Sequence, residues 1–161
     1  MKTFSFAQQT KWVEAIAPAT DAAGRTSTKI SLKNCAKVFL LVHVTQGNAA
    51  TVAITPMQAQ DVAGTGAKVL ANAIPVWSNL DTAATDTLVR RTDAVNYTTD
   101  AAVKNKMVVF EIDPASLDVT NGFDCIYFTT GASNVANITQ GTMLMTGLRY
   151  EQTTPPTALV D

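Results

Sequence analysis

The sequence predicts an all-β protein: a single antiparallel β-sandwich or jelly-roll-like domain over residues 1–161, with extended N- and C-terminal arms. Short apolar segments recur about every 10 to 15 residues and are separated by Gly, Asn and Pro, which is the pattern of a series of short strands. Hydrophobic residues make up 47% of the 161 residues, which is enough to bury one sizeable core.

The clearest predicted strand lies in the first third of the chain. Lys37–Thr45 carries apolar residues on both faces, which indicates a buried central strand, and Gln46–Asn48 ends it. Before it, Thr28–Lys33 alternates polar and apolar residues, the period of a half-buried strand. Thr51–Thr55 is expected to be the hairpin partner of Lys37–Thr45 and to end at Pro56.

The strand signal weakens between residues 57 and 106 and is clear again afterwards. Ile74–Trp77 is expected at an edge, because Pro75 cannot donate to a central ladder. Asp113 and Pro114 predict a capped helical turn. The other predicted strands are Lys68–Leu70, Asp86–Arg91, Ala94–Thr98, Met107–Ile112, Asp124–Thr130 and Gly141–Tyr150.

Charge and targeting signals argue against several classes of protein. The net charge is -1, so the chain lacks the basic surplus that a general nucleic-acid binder needs. Its high hydrophobicity argues against disorder. The longest apolar run, Val38–Val42, is too short for a membrane helix, and no secretory signal is recognised. We therefore expect a protein made in a cytoplasm, with no nucleic-acid or membrane partner.

Candidate catalytic and metal-binding residues are few. His43 is the only histidine and lies in the most apolar segment, where a structural role is expected. Loops 81–93 and 113–124 are acidic but lack the alternating ligands of a calcium loop. Cys35 and Cys125 are expected to be buried, reduced thiols, with a mutual disulfide as the alternative. We predict no catalytic residue, metal or cofactor, and hence a protein that is not an enzyme.

The two ends of the chain differ from the middle. Residues 1–37 hold six basic and two acidic residues, a net charge of +4, whereas the rest of the chain carries -5. Residues 1–16 contain Phe4, Phe6 and Trp12, which fits either a docking arm with aromatic anchors or a first strand with these rings on its core face. Residues 151–161 contain Pro155 and Pro156 and are expected to form an extended tail.

Four parts of the sequence resemble small structural proteins of tailed bacteriophages. They are Gly24–Asn34 with the apolar strand after it, Gln58–Gly64, Phe110–Asp118, and Leu148–Tyr150 together with Pro155-Pro156. Some such proteins are similar to capsid decoration (cement) proteins with β-sandwich or jelly-roll domains. The resemblance implies a domain on the outside of the shell, often a trimer, that bridges neighbouring major capsid subunits. It implies no catalytic residues.

We therefore expect a non-enzymatic virion protein on the capsid surface, with the major capsid protein as partner and a homo-oligomeric state, a trimer being favoured. The predicted interface residues are Phe4, Phe6, Trp12, Arg25, Pro155 and Pro156. One alternative is a phage tail or connector subunit. Another is a carbohydrate- or host-surface-binding module that stacks sugars on Trp77, Tyr97 and Tyr127.

Overall fold

Two antiparallel β-sheets packed as a sandwich account for nearly all regular structure in the computed structural model, which describes residues 5–150 and 152–161. The predicted all-β sandwich is thereby confirmed. Strands are numbered in chain order. The first sheet contains, from edge to edge, β1 (Thr10–Thr20), β12 (Asn137–Thr146), β4 (Lys37–Gln46), β10 (Asn105–Ile112), β7 (Val76–Asn79) and β8 (Val89–Arg90).

The second sheet is built from shorter strands. Its order is β2 (Arg25–Thr26), β11 (Cys125–Thr130), β5 (Ala53–Ala59) and β6 (Lys68–Val69). In addition β3 (Ile30–Ser31) pairs with β11, and β9 (Tyr97–Thr98) pairs with β5. The helical elements among the described residues are α1 (Phe6–Gln9) and the 3-10 turns Pro114–Ser116 and Val119–Asn121. As the sequence predicts, the Asp113 carboxylate caps the first of these turns by accepting the Ala115 N–H.

The core lies between the sheets and is organised by β4. Because successive strand residues point to opposite faces, one set of β4 side chains enters the core: Val38, Leu40, Val42 and Val44, all buried. Side chains from the opposite sheet meet them, chiefly Ile30, Ile54, Ile126 and Phe128. Gly141 in β12 makes room for this packing, since a Cβ atom at that position would overlap the Phe128 ring.

The expected hairpin between Lys37–Thr45 and Thr51–Thr55 is wrong. The chain crosses to the other sheet after β4, and β5 runs through Pro56 as far as Ala59, paired with β11. Phe128, opposite Pro56, turns its backbone N–H and C=O toward Ser27 on its other side. The nitrogen of Pro56 therefore points away from β11, into the gap between β9 and β6, where no ladder hydrogen bond is needed.

Several predicted strands are shorter or shifted in the structure. Of Thr28–Lys33 only Ile30–Ser31 is strand, and the last predicted strand, Gly141–Tyr150, lies four residues earlier, at Asn137–Thr146. Within Asp86–Arg91 and Ala94–Thr98, the strands β8 and β9 contain two residues each. Tertiary pairing decides these limits, because a strand persists only where a neighbouring strand accepts its backbone hydrogen bonds.

Lys106 is a buried cation within the ladder of β10, and its side chain is 0% exposed. Its ammonium group donates to Gln46 Oε1 and to the Asp100 carbonyl, both at 2.8 Å, and to Asp100 Oδ1 at 2.6 Å. Gln46 Oε1 also accepts from the Thr99 hydroxyl. All three ammonium protons therefore have an acceptor, which is what burial of a charge requires.

Asp21 is a second buried ionisable residue, in the turn after β1, and is 0% exposed. The Thr130 hydroxyl donates to its Oδ1, whereas Oδ2 has no partner among the described residues. Burial raises the pKa of Asp21, against the opposing effects of the Thr130 hydrogen bond and the Arg25 charge. The buried environment thus disfavours the ionised form of Asp21.

We expect Asp100→Ala to lower the free energy of unfolding by about 1–3 kcal/mol, because a buried ammonium group loses its carboxylate. Lys106→Met is the matched variant. It should cost less, since the apolar stem remains packed and the charge is removed together with its need for a partner. Urea unfolding of both variants measures the difference, and a larger loss for Lys106→Met would contradict this account.

For Asp21 we expect a pH-dependent difference between wild type and Asp21→Asn. A carboxyl with a raised folded-state pKa contributes stability that is present below its ordinary pKa, 3.8, and is lost as pH rises through the folded-state pKa. Asp21→Asn should therefore become more stable relative to wild type as pH increases from about 3.8 toward neutrality. Thermal melts at matched ionic strength test this, and a difference that does not change with pH would refute it.

Candidate interaction surface

The outer face of the first sheet, formed by the side chains turned away from the core, is the candidate interaction surface. Strand register arranges these side chains in two rows across the sheet. The first row is Trp12, Leu144, Phe39 and Glu111; the second is Glu14, Thr142, Leu41, Val109, Trp77 and Arg90. Aromatic and aliphatic side chains therefore form a stripe across the middle of the face, with charges at its margins.

A shallow depression lies within this stripe, lined by Phe39, Trp77, Leu88, Val109 and Glu111. Glu111 fixes the geometry of its polar side, because one carboxylate oxygen accepts the Trp77 indole N–H at 2.8 Å and the other accepts Lys37 Nζ at 3.1 Å. The Arg90 guanidinium lies over the Trp77 ring, 5.5 Å from its centroid. The aromatic ring is thus held in one orientation before any ligand arrives.

The outer face of the second sheet is covered by the protein itself. Ala59, Cys125 and Tyr127 form a small buried cluster there, against which Met57 and Val62 pack. Lys29 lies over the Tyr127 ring at 5.0 Å, and burial raises the pKa of the Tyr127 phenol. Among the described residues, the apolar stripe on the outer face of the first sheet is more open: Phe39, Leu41, Trp77 and Leu144 are half-buried, Val109 is buried and Trp12 is half-exposed.

Two of the predicted interface aromatics meet beside this surface. Phe6 and Trp12 are 46% and 50% exposed, and their ring centroids are 5.4 Å apart. Residues 10–16 belong to β1, but Trp12 points to the outer face and not to the core face considered for a first strand. The alternation of β1 requires this, since Val13 and not Trp12 enters the core. Phe4 lies outside the described residues.

Arg25, another predicted interface residue, is engaged with its own chain. Its guanidinium donates to the carbonyls of Ala17 at 2.6 Å, Ala19 at 3.4 Å and Thr139 at 2.7 Å. Arg25 therefore fastens the second half of β1 to β12 and covers carbonyl groups that the edge of the sheet would otherwise expose.

The C-terminal tail folds back onto the sandwich. The Pro155 carbonyl accepts Lys11 Nζ at 3.1 Å, and the Ala158 carbonyl accepts the Ser31 N–H at 2.8 Å. Ala158 is buried, and Asp161 pairs with Lys33. Pro155 is half-buried and Pro156 exposed. The described part of the tail, residues 152–161, thus lies along its own domain; Glu151, at the predicted start, is outside the described residues.

The basic residues described in the 1–37 segment are engaged within the chain, and two of them form ion pairs. Lys33 pairs with Asp124 and Asp161, and Lys37 with Glu111, while Lys11 and Arg25 donate to carbonyls and Lys29 lies over Tyr127. The pKa of Lys33 is raised, and the hydrogen bond to the Asp161 carboxylate is the largest cause. The net charge of +4 therefore does not form an unengaged basic patch within residues 5–37.

The residues considered for catalysis or metal binding are scattered. His43 is exposed on the outer face, between Gln140 and Met107 of the neighbouring strands. Both cysteines are free and buried, and desolvation raises the pKa of each thiol to about 12. Asp124, Cys125 and Asp161 form the one cluster of potential metal ligands in the described part of the chain, and Lys33 pairs with both of its carboxylates.

The three aromatics considered for sugar stacking do not share a surface. Trp77 lies on the outer face of the first sheet, and Tyr127 is buried on the outer side of the second. Tyr97 packs against the core and its hydroxyl contacts Ser78 at 3.2 Å. Sequence reasoning missed Phe39 and Leu41 as residues of the outer face, because the two-sided apolar pattern of β4 was interpreted as burial on both faces; both are half-buried in the structure.

No helix in the described ranges is both long enough and apolar enough to cross a membrane. No protein-family model matches the sequence, and no curated protein matches it.

Among solved structures, the chain is similar to the SPBc2 prophage-derived protein YomS, with 10% identity, a TM-score of 0.47, and coverage of 85% of this chain and 93% of that one. It is similar to a putative sugar binding protein from Bacteroides thetaiotaomicron (11% identity, TM-score 0.30, coverage 76% and 65%). It is also similar to a family 11 carbohydrate-binding module from Clostridium thermocellum, with 9% identity, a TM-score of 0.32, and coverage of 89% of this chain and 91% of that one. At these TM-scores the similarities assign neither a family nor a function to this chain.

Proposed function

We propose that this chain is a non-enzymatic virion structural protein that binds the outside of a phage capsid and stabilises the shell by bridging major capsid subunits. The observation that carries the proposal is the uncovered outer face of the first sheet, an ordered apolar stripe continuous with the exposed pair Phe6 and Trp12. Apolar side chains that gather on one exposed face of a soluble protein often mark an interaction site. The sequence resemblance to tailed-phage structural proteins supports a capsid as that partner.

A surface of this kind suits a lattice. A sheet face with modest apolar content binds weakly as one copy, but repetition over many equivalent sites makes the total stabilisation large. Since such a protein binds the assembled shell and not its dissociated subunits, its binding energy adds directly to the stability of the shell. The glutamate at the margin, Glu111, and the arginine, Arg90, would set orientation and not affinity.

The remaining parts of the proposal follow from the resemblance and the composition. The partner is the major capsid protein, the location is the capsid surface of a virion assembled in the host cytoplasm, and the protein is a homo-oligomer, for which the resemblance implies a trimer. With a net charge of -1, neither nucleic acid nor a membrane is proposed as a partner.

We expect saturable co-sedimentation with assembled, undecorated capsids, at a fixed number of copies per capsid subunit, and none with unassembled subunits. Leu144→Lys, in the middle of the first row, should weaken binding at least tenfold, because a charge would be desolvated there. The matched control is Val135→Lys, since Val135 is 66% exposed and lies outside the face. Equal loss in both variants, or equal binding to free subunits, would refute the proposal.

Deleting residues 1–9 separates the contribution of the arm from that of the strand, because β1 begins at Thr10. The deletion removes Phe6 but leaves the β1–β12 ladder intact. We expect a folded domain, judged by its thermal melt, whose capsid binding is weakened several-fold. A folded variant with unchanged binding would show that the contact lies on the sheet face alone.

Other outcomes would select the alternative functions. Self-assembly into rings or tubes without capsid binding would favour a tail or connector subunit. Binding to a glycan array that is lost in Trp77→Ala would favour a carbohydrate-binding module using the depression beside Glu111.

A further inference from the structure

The strand β1 is an edge strand, and half of its backbone groups face away from the sheet. The direction of these groups can be read from β12, which lies between β1 and β4. The Thr146 carbonyl accepts the Ala36 N–H, so the backbone of Thr146 faces β4. Because backbone groups alternate in direction along a strand, Met145 and Met143 turn theirs toward β1.

The partners of these methionines on β1 are Lys11 and Val13, which therefore complete the internal ladder. Trp12 and Glu14 direct their N–H and C=O groups outward, away from β12. No group within residues 5–150 and 152–161 forms a hydrogen bond with these four backbone groups. The Thr10 carbonyl faces the same way, while the Thr10 N–H is taken up by the Phe6 carbonyl.

The rest of the β1 edge is protected. The Ala15 carbonyl accepts the Thr28 N–H at 2.9 Å, and the Arg25 guanidinium covers the carbonyls of Ala17 and Ala19. The strands at the other sheet edges, β2, β3, β6, β8 and β9, are only two residues long. Natural sheets guard exposed edges in these ways because a free edge recruits another strand. The unguarded stretch Thr10–Glu14 is the exception.

We propose that Thr10–Glu14 pairs antiparallel with the same five residues of a second copy of this chain, about a two-fold axis at Trp12. In this register each Trp12 exchanges both of its backbone hydrogen bonds with the other copy's Trp12. Each Glu14 N–H donates to the other copy's Thr10 carbonyl, which gives four hydrogen bonds in all. The Thr10 N–H needs no partner in the second copy, because it already donates to the Phe6 carbonyl. The two-fold axis makes the hydrogen bonds on its two sides identical.

The side chains favour the same arrangement. The pairing places the two Trp12 rings side by side on one face, each next to its own Phe6, and removes from water two rings that are about half exposed in the single copy. The two outer faces then join into one continuous surface across the axis. The inference goes beyond capsid binding and does not depend on it. A two-fold contact gives a dimer and not the trimer that the resemblance implies.

Sedimentation velocity of the purified chain tests the proposal. Wild type should sediment with twice the monomer mass of 17.1 kDa. Glu14→Pro removes an outward N–H without breaking the internal ladder, a substitution that an edge strand accepts. It should raise the dimer dissociation constant at least tenfold. Glu14→Ala, which keeps the N–H, is the matched control and should remain dimeric.

Disulfide trapping tests the register independently and does not rely on the proline variant folding. Opposite residues in a hydrogen-bonded pair have Cα atoms about 5.5 Å apart, within reach of a disulfide. Trp12→Cys should therefore form a covalent dimer on mild oxidation. Glu14→Cys should not, because the two copies of residue 14 would lie four residues out of register; Cys35 and Cys125 are buried and do not interfere.

Three results would overturn the proposal. The first is a wild type that stays monomeric at about 100 μM, far above the dissociation constant of a micromolar dimer. The second is an oligomer of any size that Glu14→Pro leaves intact. The third is cross-linking of Glu14→Cys as fast as that of Trp12→Cys. Capsid binding that persists in a monomeric wild type would refute this pairing while leaving the proposed function standing.

Discussion

The register of β4 is the constraint on which the rest of the structure depends. This strand lies between β12 and β10, and its alternate side chains divide between the core and the outer face. Burying Leu40 and Val42 obliges Phe39 and Leu41 to face outward. A slip of one residue would exchange the two sets and expose the core. The packing of the core therefore fixes which residues face outward, but it does not require those residues to be apolar.

The two sheets deal with their outer faces differently. The second sheet closes its own, with Val62 packed on the Tyr127 cluster and Lys29 laid over the ring. The first sheet uses Glu111 to tie Trp77 and Lys37 into fixed positions and leaves the stripe open. A protein that needed both faces only for its own stability would gain by covering both. The asymmetry is the physical basis for the proposal that a partner covers the outer face of the first sheet.

Arg25 shows how a charged residue can serve the protein's own backbone. The sequence predicts Arg25 as an interface residue, but three carbonyls within the chain accept its hydrogen bonds. Those bonds hold the irregular half of β1, where the ladder shifts register between Glu14 and Ala19. The guanidinium thereby replaces a missing neighbouring strand. The regular half of β1 receives no such cover, so the two halves of one strand differ in their capacity to pair.

The sequence by itself determined the fold class, the central strand Lys37–Thr45 and the capped turn at Asp113, because alternation of apolar residues and capping chemistry are local signals. It also identified Phe6 and Trp12 as unusual. Only the tertiary structure decided that β5 runs through Pro56, that Arg25 turns inward, and that Leu144 and Phe39 form part of an open surface. Those outcomes depend on which strands become neighbours, and pairing between distant segments leaves no periodic trace in either segment alone.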